Sequence, residues 1–326
     1  MIQVKNITKI YETTIGKNPF KREKLKKIAI DGLNMQIEKG KIIGLLGVNG
    51  AGKTTTIKMI STLLEPTSGE IIIDGDDVVK NRMEIKKRIN MITGGERMIY
   101  WRLSGKENLK YFGQLYGIDK KTLNSRIDKL VKLVGLEDTI DIPVERYSKG
   151  MKQRLQIARG MINNPEYLLL DEPTLGLDAP IAKDIRSYIR KLADDEGKGI
   201  LLTSHYIPEV EELCDYIYVL HDGKLLFEGT SKTLSTQVFD TKKYIFETNE
   251  MTETRFGAFM EFAHSIGAQT EVHLEKGVHT FEIETRDDCH ESLMNYIHKN
   301  RFLIHNFRVD EADLESSIIE LSRRLA

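Results

Sequence analysis

Apolar and polar residues alternate along the first part of the chain. Apolar side chains recur there at short, regular intervals, at Ile2, Val4, Ile7, Ile28, Ile30, Met35 and Ile37. A period of two residues predicts antiparallel strands with one face turned to a core. The run Lys41-Ile42-Ile43-Gly44-Leu45-Leu46 is almost continuously apolar instead, which is typical of a strand whose two faces are both covered.

Further along, the apolar spacing switches between strand and helix patterns. Strands are predicted at 71–73, 89–93, 167–170, 200–203 and 216–220, with a short helix at 83–88. From 105 to 136 the spacing is helical, with apolar residues at Leu109, Phe112, Leu115, Ile127, Leu130, Val131 and Val134. This pattern predicts a helical subdomain at about 97–163, inserted between strands of a core domain that spans 1–232.

A second domain is predicted over 240–326. Its pattern gives strands at 244–246, 272–274, 278–283 and 302–309 and helices at 256–263 and 293–297. The order β-α-β-β-α-β suggests a small α+β domain of the ferredoxin-like type. A last helix carries Leu314, Ile318, Leu321 and Leu325 at helical spacing, which favours core packing or a dimer seam.

Composition narrows the class of protein. Of the 326 residues, 30% are charged and 40% hydrophobic, as in soluble globular proteins. The formal net charge of −1 argues against general nucleic-acid binding. Cys214 and Cys289 lack metal-type spacing and are expected to be reduced thiols of a cytoplasmic protein. Because no apolar run is long enough to cross a bilayer and the N-terminus does not have a signal-peptide layout, a membrane role would need a partner chain.

A basic segment interrupts the first strands. Between 17 and 27 it carries Lys17, Lys21, Arg22, Lys24, Lys26 and Lys27 against one acid, Glu23. A charge run of this kind predicts an irregular, solvated insertion. Contact with anionic lipid headgroups is the alternative interpretation.

The strongest chemical motif is the glycine loop at 47–55, which follows the strand at 41–46 and precedes a helical segment. It fits G-x-x-x-x-G-K-[ST] in full. Glycines let backbone N–H groups curl around phosphate oxygens, and the helix N-terminus adds partial positive charge. Lys53 is expected to reach the β- and γ-phosphates, and the Thr54 hydroxyl to bind Mg²⁺. A glycine-rich turn without a ligand is the alternative.

Acidic residues and a histidine follow two later strands. Asp171 and Glu172 end the apolar run at 167–170, and His205 follows the strand at 200–203. The carboxyl ends of parallel strands are where α/β sheets bind ligands. Asp171 is placed to hold Mg²⁺ through water, Glu172 to polarise an attacking water, and His205 to contact the γ-phosphate. An acid pair that caps the next helix, and a structural histidine, are the alternatives.

By these motifs residues 1–230 resemble the ATP-binding cassette of ABC transporters. Five elements occur in the family's order: the phosphate loop, the signature at 147–153, the acid strand at 167–172, the D-loop at 175–178 and His205. The resemblance implies an α/β fold, a P-loop NTPase cassette with an antiparallel β subdomain and an inserted helical subdomain. It also implies that Tyr11 stacks on adenine.

In this family the site is shared between two subunits, with Ser148 and Gly150 of one closing over the γ-phosphate that Lys53 of the other holds. The resemblance therefore implies ATP and Mg²⁺ as cofactors, Lys53, Glu172 and His205 as catalytic residues, and Thr54 and Asp171 as metal contacts. Nucleotide contacts are implied at Tyr11, Gly47, Asn49, Gly50, Ala51, Gly52, Lys53, Thr54, Thr55, Ser148, Gly150 and Asp178.

The sequence departs from the family pattern at two motifs. The signature usually reads Leu-Ser-Gly-Gly-Gln, whereas this chain has Tyr147-Ser148-Lys149-Gly150-Met151 and keeps the serine and the second glycine. At the Q-loop the family's Mg²⁺-binding glutamine is replaced by Thr93-Gly94-Gly95-Glu96. Either Glu96 substitutes as a carboxylate ligand or the glycines loosen the loop.

A cassette with a small C-terminal domain is similar to the ATPases of drug-efflux, antibiotic-resistance and polysaccharide exporters, whose membrane domain is a separate chain. This resemblance implies a membrane permease and a second ATP-binding subunit as partners, and a location on the cytoplasmic face of the membrane. A soluble ABC ATPase that acts on ribosomes or DNA is the alternative, although such proteins typically carry two cassettes or a long coiled coil. A ligand-sensing role for the C-terminal domain is a third interpretation.

Overall fold

The structure is a computed structural model that describes residues 1–15, 23–93, 99–204, 206–238, 242–275, 277–285 and 288–310. The chain divides into two compact units, Met1–Thr230 and Ser231–Ala326. Within the described residues, every helix is too short or too polar to span a membrane. The stretch between the two predicted domains contains a helix, Ser231–Val238, which belongs to the second unit.

The elements of the first unit alternate between strands and helices. In chain order, the described residues form β1 (Ile2–Ile15), β2 (Glu23–Ile37), β3 (Ile42–Leu46), α1 (Lys53–Ile60), β4 (Ser68–Ile73), β5 (Asp76–Asp77), α2 (Arg82–Arg88), β6 (Ile89–Thr93), α3 (Gly105–Leu115), α4 (Lys120–Val134), a 3₁₀ helix (Val144–Arg146), α5 (Lys149–Gly160), β7 (Tyr167–Asp171), α6 (Ala179–Asp194), β8 (Gly199–Thr203), α7 (Ile207–Leu213), β9 (Tyr216–His221) and β10 (Lys224–Gly229).

An antiparallel sheet with the order β2-β1-β4-β5 contains the N-terminal strands, as their alternating pattern predicts. Its register sets Tyr11 opposite Lys27. The prediction of an irregular insertion over 17–27 is wrong for 23–27, because these residues extend β2 and pair with β1. Residues 17–22 of that insertion lie outside the described residues.

A six-stranded sheet with the order β10-β9-β3-β8-β7-β6 forms the centre of the first unit. Strands β6, β7, β8, β3 and β9 are parallel, and β10 adds an antiparallel edge. All residues of β3 and β8 are buried, which explains why these strands are continuously apolar. The register aligns Thr93, Asp171 and Thr203 across three neighbouring strands, so these three strands end at one sheet edge.

Helices α3, α4 and α5 lie in the sequence between β6 and β7, where the helical subdomain is predicted. Helix α3 begins with a capping box in which Ser104 and Glu107 satisfy each other's backbone N–H groups. Helix α4 begins at an Asp119 cap and ends at Gly135, whose φ of 64° is left-handed. Their buried faces, which include Leu109 and Ile127, join the core beneath the central sheet.

The second unit has the predicted order of elements. After α8 (Ser231–Val238) come β11 (Lys242–Asn249), α9 (Glu253–Ser265), β12 (Gln269–Glu275), β13 (Val278–Thr285), α10 (His290–Lys299) and β14 (Ile304–Asp310). The strands form an antiparallel sheet in the order β12-β13-β11-β14 around packed phenylalanines, among them Phe246, Phe259 and Phe281. Its assignment to the ferredoxin-like class stays a prediction. The last predicted helix, 314–325, lies outside the described residues.

Candidate ATPase site

The phosphate loop joins β3 to α1 through glycines in conformations that other residues rarely adopt. Gly47 has a φ of 143° and Gly52 a φ of 107°. A Cβ at Gly47 would lie 2.2 Å from the Leu220 carbonyl oxygen, and one at Gly52 would lie 2.3 Å from Cδ1 of Ile30. At Gly50, which has a φ of 89°, the space is open. The loop therefore requires glycine for its shape at 47 and 52, where its backbone turns into the helix N-terminus.

Lys53 begins helix α1 and folds back over the loop. Its Nζ donates hydrogen bonds to the carbonyl oxygens of Gly47 at 2.5 Å and Val48 at 3.2 Å. Burial lowers the pKa of Lys53, and the negative charges of Glu172 and Asp171 oppose this shift. A cation in contact with loop carbonyls and close to two acids is ready to exchange these partners for phosphate oxygens.

A cavity of about 350 Å³ opens over the loop and collects residues from separate parts of the chain. It is lined by Tyr11, Lys27, Ala29, Asn49, Gly50, Ala51, Gly52, Lys53, Thr54, Thr55, Asp171 and Glu172. Sequence reasoning missed Lys27 and Ala29, which reach the cavity because β2 pairs with the strand of Tyr11. The predicted antiparallel pairing of the strands within 1–37 could have indicated that residues near 27 lie beside Tyr11.

The two acids stand where β7 leaves the sheet. The Thr203 hydroxyl on neighbouring β8 donates to Oδ1 of Asp171 at 2.6 Å. Glu172 has a left-handed backbone, with a φ of 53°, and its N–H donates to the Thr203 carbonyl at 3.0 Å. This positive φ is uncommon outside glycine and turns the chain sharply after Asp171, so that both carboxylates line the cavity.

Oxygen donors at the cavity fit a magnesium ion bound together with nucleotide phosphates. Thr54 and Asp171 both line the cavity. Mg²⁺ prefers such hard oxygen ligands and takes its remaining ones from water and substrate phosphates. Within the described residues, no group of three or more His, Cys, Asp or Glu side chains could hold a metal ion by itself. The bound ion would neutralise phosphate charge.

The signature residues lie at the start of α5. The Ser148 side chain caps this helix by accepting from the Met151 N–H at 3.2 Å. A Cβ at Gly150 would lie 2.7 Å from Cδ1 of Ile181, so α5 packs closely on α6 at this point. Among the described residues that line the phosphate-loop cavity, neither Ser148 nor Gly150 is found.

The D-loop runs from the acid strand to α6. Asp178 is the residue before α6, and its side chain forms no capping hydrogen bond there. Leu175, Gly176 and Leu177 line a second cavity of about 280 Å³, to which Glu172 also contributes. Glu172 therefore separates the phosphate-loop cavity from the space at the D-loop.

Two predicted site residues, Glu96 and His205, lie outside the described residues. Thr93 and Thr203, which end β6 and β8, flank Asp171 in the register of the sheet. Strands β6 and β8 therefore end beside Asp171, one on either side.

The fold and the site together define a P-loop nucleotide hydrolase. A family model described as ABC transporter matches residues 30–175. The chain is 42% identical to the ABC transporter ATP-binding protein NatA of Bacillus subtilis, over 67% of this chain and 89% of that protein. It is 36% identical to the bacitracin transport ATP-binding protein BcrA of Bacillus licheniformis, over 83% of this chain and 92% of that protein.

A solved structure agrees with these relatives. The dimeric post-hydrolysis state of the ATP-binding cassette MJ0796 bound to ADP and Pi matches with a TM-score of 0.61 and 26% identity, over 71% of this chain and 98% of that one. The chain belongs to the ABC transporter family and is an ATP-binding cassette that hydrolyses ATP. The predictions of the family, of the α/β cassette fold and of ATPase activity are confirmed.

Proposed function

We propose that the chain works at the cytoplasmic face of the membrane, where it powers export of a drug, antibiotic, lipid or polysaccharide-type substrate through a separate membrane subunit. The observation that carries the proposal is the single cavity that joins the phosphate loop to Asp171 and Glu172. Relatives named for bacitracin transport and daunorubicin resistance support the exporter class.

Each cavity residue has a role that its chemistry supports. Lys53 and the loop N–H groups hold the β- and γ-phosphates, and Tyr11 offers its exposed ring to adenine. Thr54 and Asp171 hold the Mg²⁺ ion. Glu172 orients and polarises the attacking water, and the loop stabilises charge that develops on the γ-phosphate.

The site is completed by a second ATP-binding subunit. Ser148 and Gly150 are away from the lining of the cavity in their own chain, at a helix N-terminus that favours anions. In a dimer they close over the γ-phosphate that the partner's loop holds. The proposal therefore includes a poorly active monomer and an ATP-dependent dimer.

The variant Glu172→Gln tests these roles. It removes the water-polarising charge and leaves the phosphate loop intact, so ATP binding is retained and a stable dimer accumulates with ATP and Mg²⁺. Light scattering with size-exclusion chromatography measures the dimer, and phosphate release measures turnover. Turnover equal to that of the parent would contradict the role of Glu172, and failure to bind ATP would contradict the site itself.

The two residues outside the described ranges have separate tests. His205→Ala is expected to lower turnover while it leaves ATP binding intact, since the contact proposed for His205 is with the γ-phosphate. Glu96 is proposed as a carboxylate contact for Mg²⁺ in place of the family's glutamine. Unchanged Mg²⁺-dependent turnover in Glu96→Ala would remove that role.

An exposed apolar surface, formed by α3 and by Tyr100 just before it in the chain, is the proposed docking site for the membrane subunit. It consists of Tyr100, Tyr111 and Leu115, which are 49%, 39% and 66% exposed. The rings of Tyr100 and Tyr111 pack edge to face with centroids 5.0 Å apart, and Leu115 follows Tyr111 by one helical turn. Aromatic groups with an exposed face are typical of protein interfaces. A short amphipathic helix of the membrane subunit would fit a surface of this size.

Co-purification tests the partner. A multi-span membrane protein is expected to remain with the parent chain in detergent extract and to be lost from Leu115→Glu. Leu133→Glu is the matched control, because Leu133 is an exposed leucine on the neighbouring helix α4 and is 45% exposed. Reconstitution of the pair in liposomes with candidate drugs and lipid-linked sugars then measures export. A parent chain that recovers ribosomes or DNA and no membrane protein would overturn the transport role.

A further inference from the structure

A carboxyl group that the proposed mechanism does not use lies buried behind the D-loop. Glu209, in helix α7, is 0% exposed. Its Oε1 accepts a hydrogen bond from the Thr174 hydroxyl at 2.7 Å, and its Oε2 has no hydrogen-bond partner among the described residues. Burial of an acid in this manner costs free energy, which indicates that Glu209 has a role beyond packing.

The electrostatic surroundings of Glu209 are mixed. Burial raises the pKa of Glu209, while the hydroxyls of Ser204 and Thr174 and the charge of Arg186 oppose the shift. The Glu212 carboxylate adds to the rise, although its charge is paired with Arg186 through a hydrogen bond of 2.6 Å. Among the described residues, the hydrogen bond that holds the carboxyl is therefore the one from the Thr174 hydroxyl, and the Ser204 hydroxyl nearby also favours its charged form.

Those two hydroxyls come from the two strand ends that form the catalytic edge. Thr174 lies two residues after Glu172, and Ser204 directly follows Thr203, the last residue of β8. Strands β7 and β8 are neighbours, with Asp171 opposite Thr203 in the register. The Glu209 side chain is therefore bonded to the segment that leaves β7 and lies close to the residue that follows β8.

The Glu172 backbone needs a restraint of this kind. Its left-handed φ of 53° is a conformation of higher energy that persists only where the surroundings fix it. On its N-terminal side the turn is fixed by the Glu172 N–H bond to Thr203. On its C-terminal side, two residues further along, the Thr174 hydroxyl is hydrogen-bonded to Glu209.

We propose that Glu209 is a positioning residue, which holds the start of the D-loop against the end of β8 and thereby fixes the direction in which Glu172 faces the γ-phosphate. The inference rests on the proposed role of Glu172. Because Glu209 is not among the described residues that line the phosphate-loop cavity, its effect falls on turnover and leaves nucleotide affinity nearly unchanged.

Three variants test the anchor. Glu209→Ala is expected to lower kcat about tenfold or more, with the dissociation constant for a fluorescent ATP analogue within about twofold of the parent. Glu209→Gln keeps an amide oxygen that can accept from Thr174, so it should restore most of the turnover. Thr174→Val removes the donor hydroxyl with little change of shape and should lower kcat, as Glu209→Ala does.

A double-mutant cycle and a control separate the anchor from general destabilisation. If the two side chains act together, the kcat of the double variant Glu209→Ala, Thr174→Val should be little lower than the kcat of the worse single variant. Glu211→Ala, on the same helix at an exposed position, should leave kcat unchanged. Thermal melts of every variant show which ones are folded, and Thr174→Val carries the test if Glu209→Ala does not fold.

The outcomes distinguish the inference from the proposed function. If the parent hydrolyses ATP, Glu172→Gln does not, and both Glu209→Ala and Thr174→Val turn over like the parent, the positioning role is wrong and the role of Glu172 stands. Equal loss in Glu209→Gln and Glu209→Ala would also overturn it, since the amide keeps the acceptor. If Glu172→Gln turns over like the parent, the proposed function fails first.

Discussion

Thr203 and Asp171 are joined by a hydrogen bond of 2.6 Å between the threonine hydroxyl and Oδ1 of the carboxylate. Thr203 is fully buried at the end of β8, and this bond fixes one oxygen of Asp171, which lines the cavity. In the proposed site, a carboxylate restrained in this way is oriented to hold the magnesium ion.

Replacement of Thr203 by valine should therefore weaken the use of Mg²⁺. The change keeps the shape of the side chain and removes the donor, so we expect a loss of about 1 kcal/mol in the free energy of unfolding. The Mg²⁺ concentration that gives half-maximal ATPase activity should rise about tenfold, in line with the loss of a group that orients a metal ligand. A magnesium titration of turnover measures this. An unchanged half-maximal concentration would show that Asp171 is oriented by other contacts.

Two glycines of the phosphate loop should differ sharply in their tolerance of alanine. At Gly47 a new Cβ would meet the Leu220 carbonyl oxygen at 2.2 Å, so Gly47→Ala should lower the free energy of unfolding by more than about 3 kcal/mol. At Gly50 the space is open and only the left-handed φ is costly, so Gly50→Ala should lose about 1 kcal/mol. Urea unfolding compares the two variants. Equal losses would contradict the clash at Gly47.

Tyr11 should contribute to nucleotide affinity through its ring. Stacking of an aromatic side chain on a base is worth about 1–3 kcal/mol, so Tyr11→Ala should raise the dissociation constant for ATP about tenfold. Tyr11→Phe keeps the ring and should bind as the parent does. Calorimetric titration with ATP in the Glu172→Gln background measures both without turnover. Parent-like affinity in Tyr11→Ala would remove the stacking role.

A polar network far from the site should give the protein part of its stability. Asp74 accepts hydrogen bonds from the Tyr167 hydroxyl at 2.8 Å and from Arg88 at 2.6 Å, and Lys39 lies 3.3 Å from it. Burial alone would raise the pKa of Asp74, but these donors and the terminal ammonium outweigh it and lower the pKa. A lowered pKa in the folded state means that the unfolded chain binds the proton more readily.

The contribution of Asp74 to stability is therefore present above a pH of about 4 and is lost as the pH falls below it. Asp74→Asn should cost about 2 kcal/mol of unfolding free energy at neutral pH, and its difference from the parent should shrink in acid. Asp128→Asn, at an exposed position of α4, is the control with no expected effect. Urea unfolding at a series of pH values checks the trend. A difference that does not change with pH would show that the charge of Asp74 is not its cause.

The sequence by itself determined the phosphate loop, the acid strand and the type of fold. Short-range order explains this, because G-x-x-x-x-G-K-[ST] between a buried strand and a helix dictates the local backbone, and continuous apolar runs dictate strands buried on both faces. The same local rules gave the β-α-β-β-α-β order of the second unit. They failed at residues 23–27, where a run of lysines predicts a solvated insertion and strand pairing with β1 prevails.

Only the tertiary structure decided which distant residues share a site. The register between β1 and β2 brought Lys27 to the cavity that Tyr11 lines, although the two residues are 16 positions apart in the sequence. Parallel pairing set Thr203 against Asp171, and helix packing buried Glu209 beneath Thr174. Long-range contacts of this type depend on strand order and on the packing of whole elements, which the local pattern of apolar and polar positions does not encode.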